Sequence, residues 1–439
     1  MQLDFILQSV RLALPSVCYG FLALVFLTGV VRLLLIARST AVLKKQVRSL
    51  RSVDYRRFQD SEHIMPVSLI LPAAGETGSL REQVENLLSL DFKQYELIVV
   101  ANSAHAEAWA SLNNAYHLLP FRQPYKKTLK SIRIEAIYRS AKDVRLVVLD
   151  SRDGSVAGAL NAGVNLSSYP IIAPVYPDLR LTKDALLKTV YAFVSDSACV
   201  YIGSFARVGE EPDKTERKKT ALLTDEQYLE RLSALYINRA GYMDLGVYLP
   251  LSRTFAAFLK SAVFENGGFS EAAKAESADL LMRIHKKMRG EKRGYSARLL
   301  PDAVCYQQPK KRMRDVIASI QQGQREMRDT IRRNRATMRE ISGAGDTQFA
   351  EKAWPFVELL GIITVICAGL LGAVPPLFTV LYLLLGILFG AVQTVLSALL
   401  EEYAFQRQTD TGLLLRRYLL AIVDQIGFRL CTALARIFS

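Results

Sequence analysis

Two long stretches without charged residues dominate the hydrophobic pattern of the chain. The first, residues 12–31, would form a helix about 30 Å long, which matches the hydrocarbon core of a bilayer. The second, residues 359–400, is about twice as long as one span requires. Pro375 and Pro376 interrupt it, and because proline disrupts a helix interior, they mark a hairpin between two spans. The pattern therefore predicts three transmembrane helices.

The charges that flank these spans predict their orientation. Eight Lys and Arg residues lie in residues 32–57, directly after the first span, against a single acid, Asp54. Because cytoplasmic flanks carry an excess of cations, this pattern places the N-terminus outside and everything after about residue 37 in the cytoplasm. Residues 413–438 are apolar but contain five charged residues. They favour a helix lying on the inner surface of the membrane, with a further span as the alternative.

Between the membrane segments, short apolar runs alternate with helical patterns such as residues 80–90, where Val84, Leu87 and Leu88 are spaced as on one helix face. The apolar runs predict strands at Val67–Leu71, Leu97–Val100, Val144–Leu149 and Ile171–Val175. This alternation predicts an α/β domain with a doubly wound, mostly parallel sheet. Such sheets bind their ligands at the carboxyl ends of the strands. The corresponding loops are residues 72–79, 101–105, 150–157 and 176–179.

These patterns divide the chain into six segments. The predicted segments are an N-terminal transmembrane helix at 1–37, a basic juxtamembrane linker at 38–65, the α/β domain at 66–308, a basic helical segment at 309–352, two transmembrane helices at 353–401, and an interfacial amphipathic C-terminal helix at 402–439. The division separates the apolar residues, which fall in the membrane segments, from the cations, which lie just inside the membrane.

Composition narrows the range of partners. The 439 residues include 56 Lys and Arg against 42 Asp and Glu, a formal charge of +14, and half of the residues are apolar. The basic segment 310–339 indicates contact with an anionic lipid bilayer. It contains no aromatic residue, so nucleic acid is not an expected partner. The five cysteines are scattered without a CxxC pair, which argues against a disulfide framework or a structural zinc site.

Several motifs of the α/β domain resemble those of the membrane-bound family 2 glycosyltransferases, which include processive polysaccharide synthases and have a GT-A fold. The motifs are PVSLILPAAGE, YELIVVANS, RDGSVAGALNAGVNLSSYPII, FENGGFSE, ESADLLMRIHKKMR and LPDAVCYQQP. The resemblance runs nearly from end to end and includes the membrane segments. It implies a GT-A fold, a nucleotide sugar as the ligand, and Mg²⁺ or Mn²⁺ as the cofactor of an active enzyme.

The resemblance also assigns residues to the nucleotide and the metal. It implies nucleotide-binding roles for Ala73, Glu76, Asn102, Asp153 and Gly154, and a metal-binding role for Asp178. Three of these loops depart from the family. The Asp-x-Asp metal motif reads Tyr176-Pro177-Asp178, which leaves one carboxylate. The loop after the second strand has Asn102 but no carboxylate, and Val156 stands where the family has a lysine facing the phosphates.

The catalytic and acceptor positions depart from the family as well. The family's base is the Asp of a Glu-Asp pair at the start of a helix, and the resemblance places Ser277 there, after Glu276. A serine hydroxyl is a poor proton acceptor near neutral pH, so Glu276 or Asp279 would have to replace it. On a helix, Asp279 lies about 200° around the axis from Ser277. The acceptor-binding motif corresponds to Gln324 and Arg325, without the tryptophan on which the family's acceptor sugar stacks.

These departures at ligand positions, with the strand cores and Gly-rich turns retained, favour a family 2 fold that has lost its usual chemistry. The first hypothesis is an inner-membrane protein of cell-surface polysaccharide synthesis that has impaired or absent catalysis and is the partner of an active synthase. The second is an active transferase that uses Asp178, Glu276 and Asp279 with a metal to move a sugar from a UDP-sugar to a glycan acceptor. The third is a membrane-tethered module that binds a nucleotide or an acidic glycan.

Overall fold

A computed structural model describes most of the chain. The described residues are 2–51, 58–59, 61, 64–73, 80–122, 124–152, 154–209, 221–236, 254–300, 302, 304–340, 344–405, 411–425 and 427–437. Two residues to which the resemblance assigns nucleotide binding, Glu76 and Asp153, lie outside the described residues.

The chain begins with one long helix, α1 (Gln2–Arg51), which contains the first predicted span. Its segment Ala13–Ala41 is long and apolar enough to cross a membrane, with a mean hydropathy of 2.4. Large apolar side chains on it, including Phe26, Leu27 and Leu34, are more than half exposed. Such exposure is expected of a helix that is surrounded by lipid instead of water.

Twelve strands are described, and most coincide with apolar runs of the sequence. In chain order they are β1 (Val67–Ala73), β2 (Tyr95–Ala101), β3 (Leu118–Pro120), β4 (Ala136–Ser140), β5 (Leu146–Asp150), β6 (Ile171–Pro174), β7 (Leu179–Leu181), β8 (Cys199–Gly203), β9 (Ala206–Val208), β10 (Ala256–Leu259), β11 (Ser296–Leu299) and β12 (Cys305–Gln307).

The larger sheet has nine described strands in the order β11-β8-β10-β6-β1-β2-β5-β4-β3. Its centre is parallel, with β1 paired to β2 and β6 and with β2 paired to β5. Antiparallel pairings follow on both sides, from β10 to β6 and from β4 to β5. The predicted doubly wound parallel centre is confirmed, and the antiparallel neighbours make the complete sheet mixed. Every residue of β1 is buried.

The smaller sheet has the described order β7-β12-β9. Its central strand β12 runs antiparallel to β7 and parallel to β9. This pairing places Gln307 opposite both Leu179 and Val208. Because Leu179 directly follows Asp178 in the chain, the small sheet sets the position of the one carboxylate left in the predicted metal motif.

The helices described between β1 and the C-terminal helices pack against the two sheets, against the C-terminal helices or against one another. In chain order they are α2 (Leu80–Leu88), α3 (Ala106–Tyr116), α4 (Val156–Leu166), α5 (Ala185–Val194), α6 (Leu222–Leu235), α7 (Lys260–Glu265), α8 (Glu276–Gly290), α9 (Met313–Arg333) and α10 (Arg335–Glu340). Helix α4 packs closest to the central strands. A Cβ on Gly163 would lie 2.5 Å from Cγ2 of Ile70 in β1, so only glycine permits this approach.

Four further helices form the C-terminal part of the chain. They are α11 (Ala344–Leu370), α12 (Pro376–Phe405), α13 (Thr411–Val423) and α14 (Phe428–Ile437). The break between α11 and α12 confirms the predicted hairpin at Pro375 and Pro376. Within α12, Pro376–Tyr403 is long and apolar enough to span a membrane, whereas the apolar described part of α11, Phe356–Leu370, is shorter.

Within the described residues, two helices therefore satisfy the length and composition of a span by themselves. The segments Leu415–Val423 and Phe428–Arg436 would add a third span only if they are counted together across a bend of 57°. The third predicted span, in α11, and the predicted surface position of the C-terminal helix stay predictions.

The membrane helices from the two ends of the chain pack against each other. Cys18 of α1 is fully buried in an apolar cluster with Val365 and Ala368 of α11 and Tyr382 of α12. The guanidinium of Arg32 lies 5.3 Å from the centre of the Trp354 ring, within the range of a cation–π interaction. The first and last membrane segments thus form one bundle.

Candidate functional site

The loop after β6 places the phenol of Tyr176 against the start of α8. The Tyr176 hydroxyl donates to Oε2 of Glu276 over 3.2 Å, and it lies 3.2 Å from the Ser277 hydroxyl oxygen. Tyr176 and Ser277 are both buried. The structure therefore brings the predicted metal loop and the predicted base position together, and the tyrosine ring spans the distance between them.

Asp178 is oriented by the small sheet. Its Oδ2 accepts a hydrogen bond of 2.7 Å from Nε2 of Gln307. Oε1 of the same glutamine accepts a bond of 3.3 Å from Nη2 of Arg231 on α6. Neither Gln307 nor Arg231 is among the residues assigned from the sequence, although Gln307 belongs to the LPDAVCYQQP motif. The carboxylate thus lies at the end of a short polar chain that leads to α6.

Asp279 faces away from this pair of loops. Its Oδ2 forms an ion pair of 2.9 Å with Nε of Arg283, and its Oδ1 accepts a bond of 3.2 Å from Nδ2 of Asn334. The carboxyl group is buried, with 4% exposure. Both oxygens are therefore engaged in contacts within α8 and with the residue that ends α9, and the catalytic assignment of Asp279 stays a prediction.

Arg283 also holds the glycine loop that precedes α8. Its Nη2 donates to the carbonyl of Gly268 over 2.6 Å, and its Nη1 donates to the carbonyl of Asn266. Gly267 and Gly268 have φ values of +72° and +73°, a conformation that residues with a side chain rarely adopt. The glycines of the FENGGFSE motif are thus explained by the turn that carries the chain back to α8.

Asn161 of α4 anchors the other side of this loop. Its Nδ2 donates to the carbonyls of Lys130 and Phe269 over 2.8 and 2.9 Å, and its Oδ1 accepts from the Phe269 amide over 2.8 Å. Asn165, one turn later, accepts from the Leu129 amide and donates to the Leu129 carbonyl, both over 2.9 Å. The AGALNAGVN motif therefore joins three segments of backbone, a role that sequence reasoning did not assign.

Asn102 uses its side chain in a local turn. Its Oδ1 accepts from the amide of Ala104 over 2.9 Å, and the amide of Ser103 donates to Oδ1 of Asp150 over 2.9 Å. Asp150 is the last residue of β5 and is 7% exposed. It is a carboxylate at the carboxyl edge of the sheet that the sequence reasoning missed, and the signal for it was its place at the end of an apolar run.

Of the other nucleotide-binding assignments, the two described residues, Ala73 and Gly154, lie at the same edge. Ala73 is the buried last residue of β1, and Gly154 precedes α4 with open space where a Cβ would be. The hydroxyl of Ser155 caps α4 by accepting from the Gly158 amide over 3.1 Å. Val156 is 38% exposed at the start of that helix. The helix terminus is thus closed by its own serine, and valine stands where the family has a cation.

The assigned acceptor residues lie on α9, where Gln324 is half-buried and Arg325 is exposed. A small cleft, with about 30 Å³ of space for water-sized molecules, lies between the start of α9, β12 and α6. Its lining includes Gln227, Arg231 and Gln307. Gln227 joins two walls of the cleft, because its Nε2 donates to the Lys310 carbonyl over 3.0 Å and its Oε1 accepts from the Lys310 amide over 3.1 Å.

The described residues do not fit the family's usual metal centre. Mg²⁺ and Mn²⁺ prefer several oxygen ligands, with carboxylates among them. In the described part of the chain, no group of three or more His, Cys, Asp or Glu side chains could hold a metal ion. Asp178 supplies one carboxylate, which already accepts from Gln307, and the position two residues before it carries a phenol.

Comparison with protein families identifies the α/β domain. Residues 68–264 match the family model described as Glycosyl transferase family 2. The α/β domain is therefore similar to family 2 glycosyltransferases over these residues, and we call it the family 2 domain. The match begins in β1 and ends in α7, so it includes the loop with Tyr176 and Asp178, whereas Ser277 in α8 lies beyond it. A comparison with curated proteins finds no match.

Similarity to a solved structure shows that the family 2 domain has the GT-A fold, and this similarity extends over nearly the whole chain. The chain is similar to the mannosyltransferase PcManGT from Pyrobaculum calidifontis, which was solved in complex with GDP-Man and Mn²⁺. The two are 15% identical with a TM-score of 0.52, over 96% of this chain and 99% of that one. The chain is also similar to S. aureus TarS 1–349, at 13% identity and a TM-score of 0.36, over 83% of this chain and 91% of that one.

Proposed function

We propose that the protein is an inner-membrane family 2 glycosyltransferase-like protein with impaired or absent catalysis, and that it is the partner of an active synthase of cell-surface polysaccharide. In this proposal the family 2 domain is cytoplasmic, because the cations of residues 32–57 follow the first span. The observation that carries the proposal is the contact of Tyr176 with Glu276 and Ser277.

The chemistry of transfer explains why this contact matters. Transfer from a nucleotide sugar requires a base for the acceptor hydroxyl and a cation for the diphosphate leaving group. Ser277 offers a hydroxyl that is already within hydrogen-bonding distance of the phenol, and Glu276 accepts from the same phenol. Asp178 accepts from Gln307. These polar groups hold one another in place, which supports a scaffold more than a catalyst.

An activity assay of the purified full chain tests the proposal. The protein in nanodiscs is incubated with Mn²⁺, a glycan acceptor and UDP- or GDP-sugars, and the release of nucleotide is measured. We expect no release above that of Asp178→Ala. Asp178→Asn, which still accepts from Gln307, and Glu271→Gln, which removes only an exposed ion pair with Lys130, are the matched controls. Turnover that is abolished by both Asp178 variants but not by Glu271→Gln would contradict impaired catalysis.

The partner role needs a separate measurement. The tagged chain is purified from its native membranes after crosslinking, and the eluate is assayed for polymer formation. We expect transferase activity to co-purify with wild-type protein and with Asp178→Ala alike, because the partner supplies it. An eluate without any second glycosyltransferase would contradict the partner role.

An active metal-dependent transferase is the second candidate. It is favoured by Glu276, a carboxylate at the first residue of α8, directly beside the serine at the base position. In this alternative Glu276 takes the proton from the acceptor and a UDP-sugar is the donor. The same assay distinguishes the two candidates, since Glu276→Gln would then remove turnover. A rise in melting temperature with UDP alone, without turnover or partner, would support the nucleotide-binding module instead.

A further inference from the structure

A buried ion pair joins the family 2 domain to the last described membrane span. Arg207 of β9 pairs through Nη2 with Oε1 of Glu401, which lies near the end of α12. The two residues are 3% and 2% exposed. The hydroxyl of Tyr236, at the end of α6, donates to the other oxygen of Glu401. The carboxylate of the span is therefore held from the domain by two groups.

The network continues into the domain. Nη1 of Arg207 lies 3.5 Å from Oδ1 of Asp302, and Oδ2 of Asp302 lies 2.5 Å from Nζ of Lys188 on α5. Burial alone lowers the pKa of the Lys188 ammonium, but the carboxylates of Asp302 and Asp184 outweigh it and raise that pKa. The side chain of Lys188 therefore stays charged. Positive and negative side chains thus alternate from Glu401 through Arg207 and Asp302 to Lys188 on α5.

The same strand leads directly to Asp178. In the small sheet Arg207 is paired with Tyr306, and the next residue, Val208, is paired with Gln307. Gln307 donates to Asp178 through Nε2. Arg207, which binds the membrane span, is therefore paired with the residue directly before Gln307, which orients the carboxylate of Asp178.

The helix α6 forms a second connection between the same two places. Asp225 at its start pairs with Arg416 and Arg417 of α13, both at 3.3 Å, and its last turn packs against α12. Arg231, which lies between these two contacts along α6, donates to Gln307. A displacement of α12 or α13 would thus reach Gln307 through β9 and through α6.

We propose that Glu401 couples the position of the last membrane span to the strands that hold Asp178. A buried charge that loses its partner is strongly unfavourable, so the pair permits one arrangement of span and strand and resists intermediate ones. A ligand, lipid or partner that moves α12 would thereby shift Gln307 and Asp178. The coupling does not depend on whether the site transfers sugar.

Hydrogen–deuterium exchange of the full chain in nanodiscs tests the coupling. Glu401→Gln is compared with wild type and with Glu402→Gln, which changes the half-exposed neighbouring acid. We expect Glu401→Gln to raise exchange about tenfold at residues 206–208 and 305–307 and to leave β5 unchanged. Glu402→Gln should match wild type at all three places. An effect confined to the end of α12, or one of equal size in β5, would overturn the proposal.

Two further variants keep the test informative if Glu401→Gln folds poorly. Tyr236→Phe removes only the hydroxyl donor to Glu401 and should raise exchange at the same strands by a smaller factor. Arg207→Gln combined with Glu401→Gln should raise exchange by less than the two single changes added together, because they share one interaction. Fully additive effects of the two changes would show that the residues act independently and would contradict the coupling.

Discussion

The side-chain amide of Asn161 satisfies both the amide and the carbonyl of Phe269, with bonds of 2.8 and 2.9 Å. This pair connects α4 with the glycine loop that leads into α8. Helix α4 begins at the edge of the sheet where the residues assigned to nucleotide binding lie. This buried amide therefore helps to set the position of Glu276 and Ser277 relative to the central strands.

Asn161→Asp should destabilise the family 2 domain by about 2–3 kcal/mol. The carboxylate still accepts from the Phe269 amide, but it cannot donate to the carbonyls of Lys130 and Phe269, which would be buried without their donor. Chemical denaturation of the protein in detergent measures the loss. Asn114→Asp, on the exposed face of α3, is the control and should stay within about 0.5 kcal/mol of wild type. An equal effect of both substitutions would contradict the assigned role.

Tyr176→Asp should create metal affinity by restoring a carboxylate two residues before Asp178. Because removal of the buried ring leaves a cavity that itself destabilises the domain, the melting temperature of each variant is compared with and without Mn²⁺ and UDP. A ligand at 100 times its Kd stabilises by about 2.7 kcal/mol. We expect such a rise in Tyr176→Asp and none in wild type or Tyr176→Phe. A rise of the same size in wild type would show that Asp178 alone suffices.

His285 should make stability depend on pH in the acidic range. Burial of the ring, and then the nearby Arg289, lowers the pKa of His285 to about 4, whereas an unfolded histidine titrates near 6.5. The unfolded chain therefore binds a proton first as the pH falls. The contribution of neutral His285 is fully present above about pH 6.5 and is lost as the pH falls towards 4, with up to about 3 kcal/mol at stake.

His285→Gln removes this titration while it retains a polar acceptor for the hydroxyl of Tyr295, 2.6 Å from Nδ1 of the histidine. The free energy of unfolding is measured from pH 7 to pH 4 for both proteins. The difference between wild type and His285→Gln should shrink as the pH falls. A difference that is constant over this range would contradict the lowered pKa.

The proposed orientation can be tested by cysteine labelling. In a variant whose five cysteines are replaced by alanine, Asn114→Cys places a thiol on the exposed face of α3. A membrane-impermeant maleimide should label it only after the cells are opened, because the proposed orientation places the domain in the cytoplasm. A cysteine appended to the N-terminus should be labelled in intact cells. The opposite pattern would reverse the orientation.

The central strands and the two helices that are long and apolar enough to span a membrane could be predicted because their signals are local. An apolar run of five residues by itself indicates a buried strand, and an uncharged stretch of twenty by itself indicates a membrane span. The small sheet had no such signal. Strands β7 and β12 have three residues each and pair across more than a hundred intervening residues, so the arrangement depends on tertiary packing.

The candidate site was predicted only in part for the same reason. The resemblance located Tyr176, Asp178 and Ser277, but the contact of the phenol with α8 depends on how two distant loops are stacked. The resemblance offers Asp279 as a substitute base, and the structure adds its ion pair with Arg283. Long-range pairs such as Arg207 with Glu401 leave no pattern in a single sequence.

The buried cluster of Cys18, Val365 and Tyr382 has a consequence for biosynthesis. The first membrane helix emerges from the ribosome long before its packing partners, so it must wait in the bilayer while the entire family 2 domain is made. The domain is then a loop closed at both ends by one helical bundle. The entropy of closing a loop grows only slowly with its length, so a folded domain within the loop adds little to that cost. The membrane bundle can therefore be completed only after the family 2 domain has been synthesised.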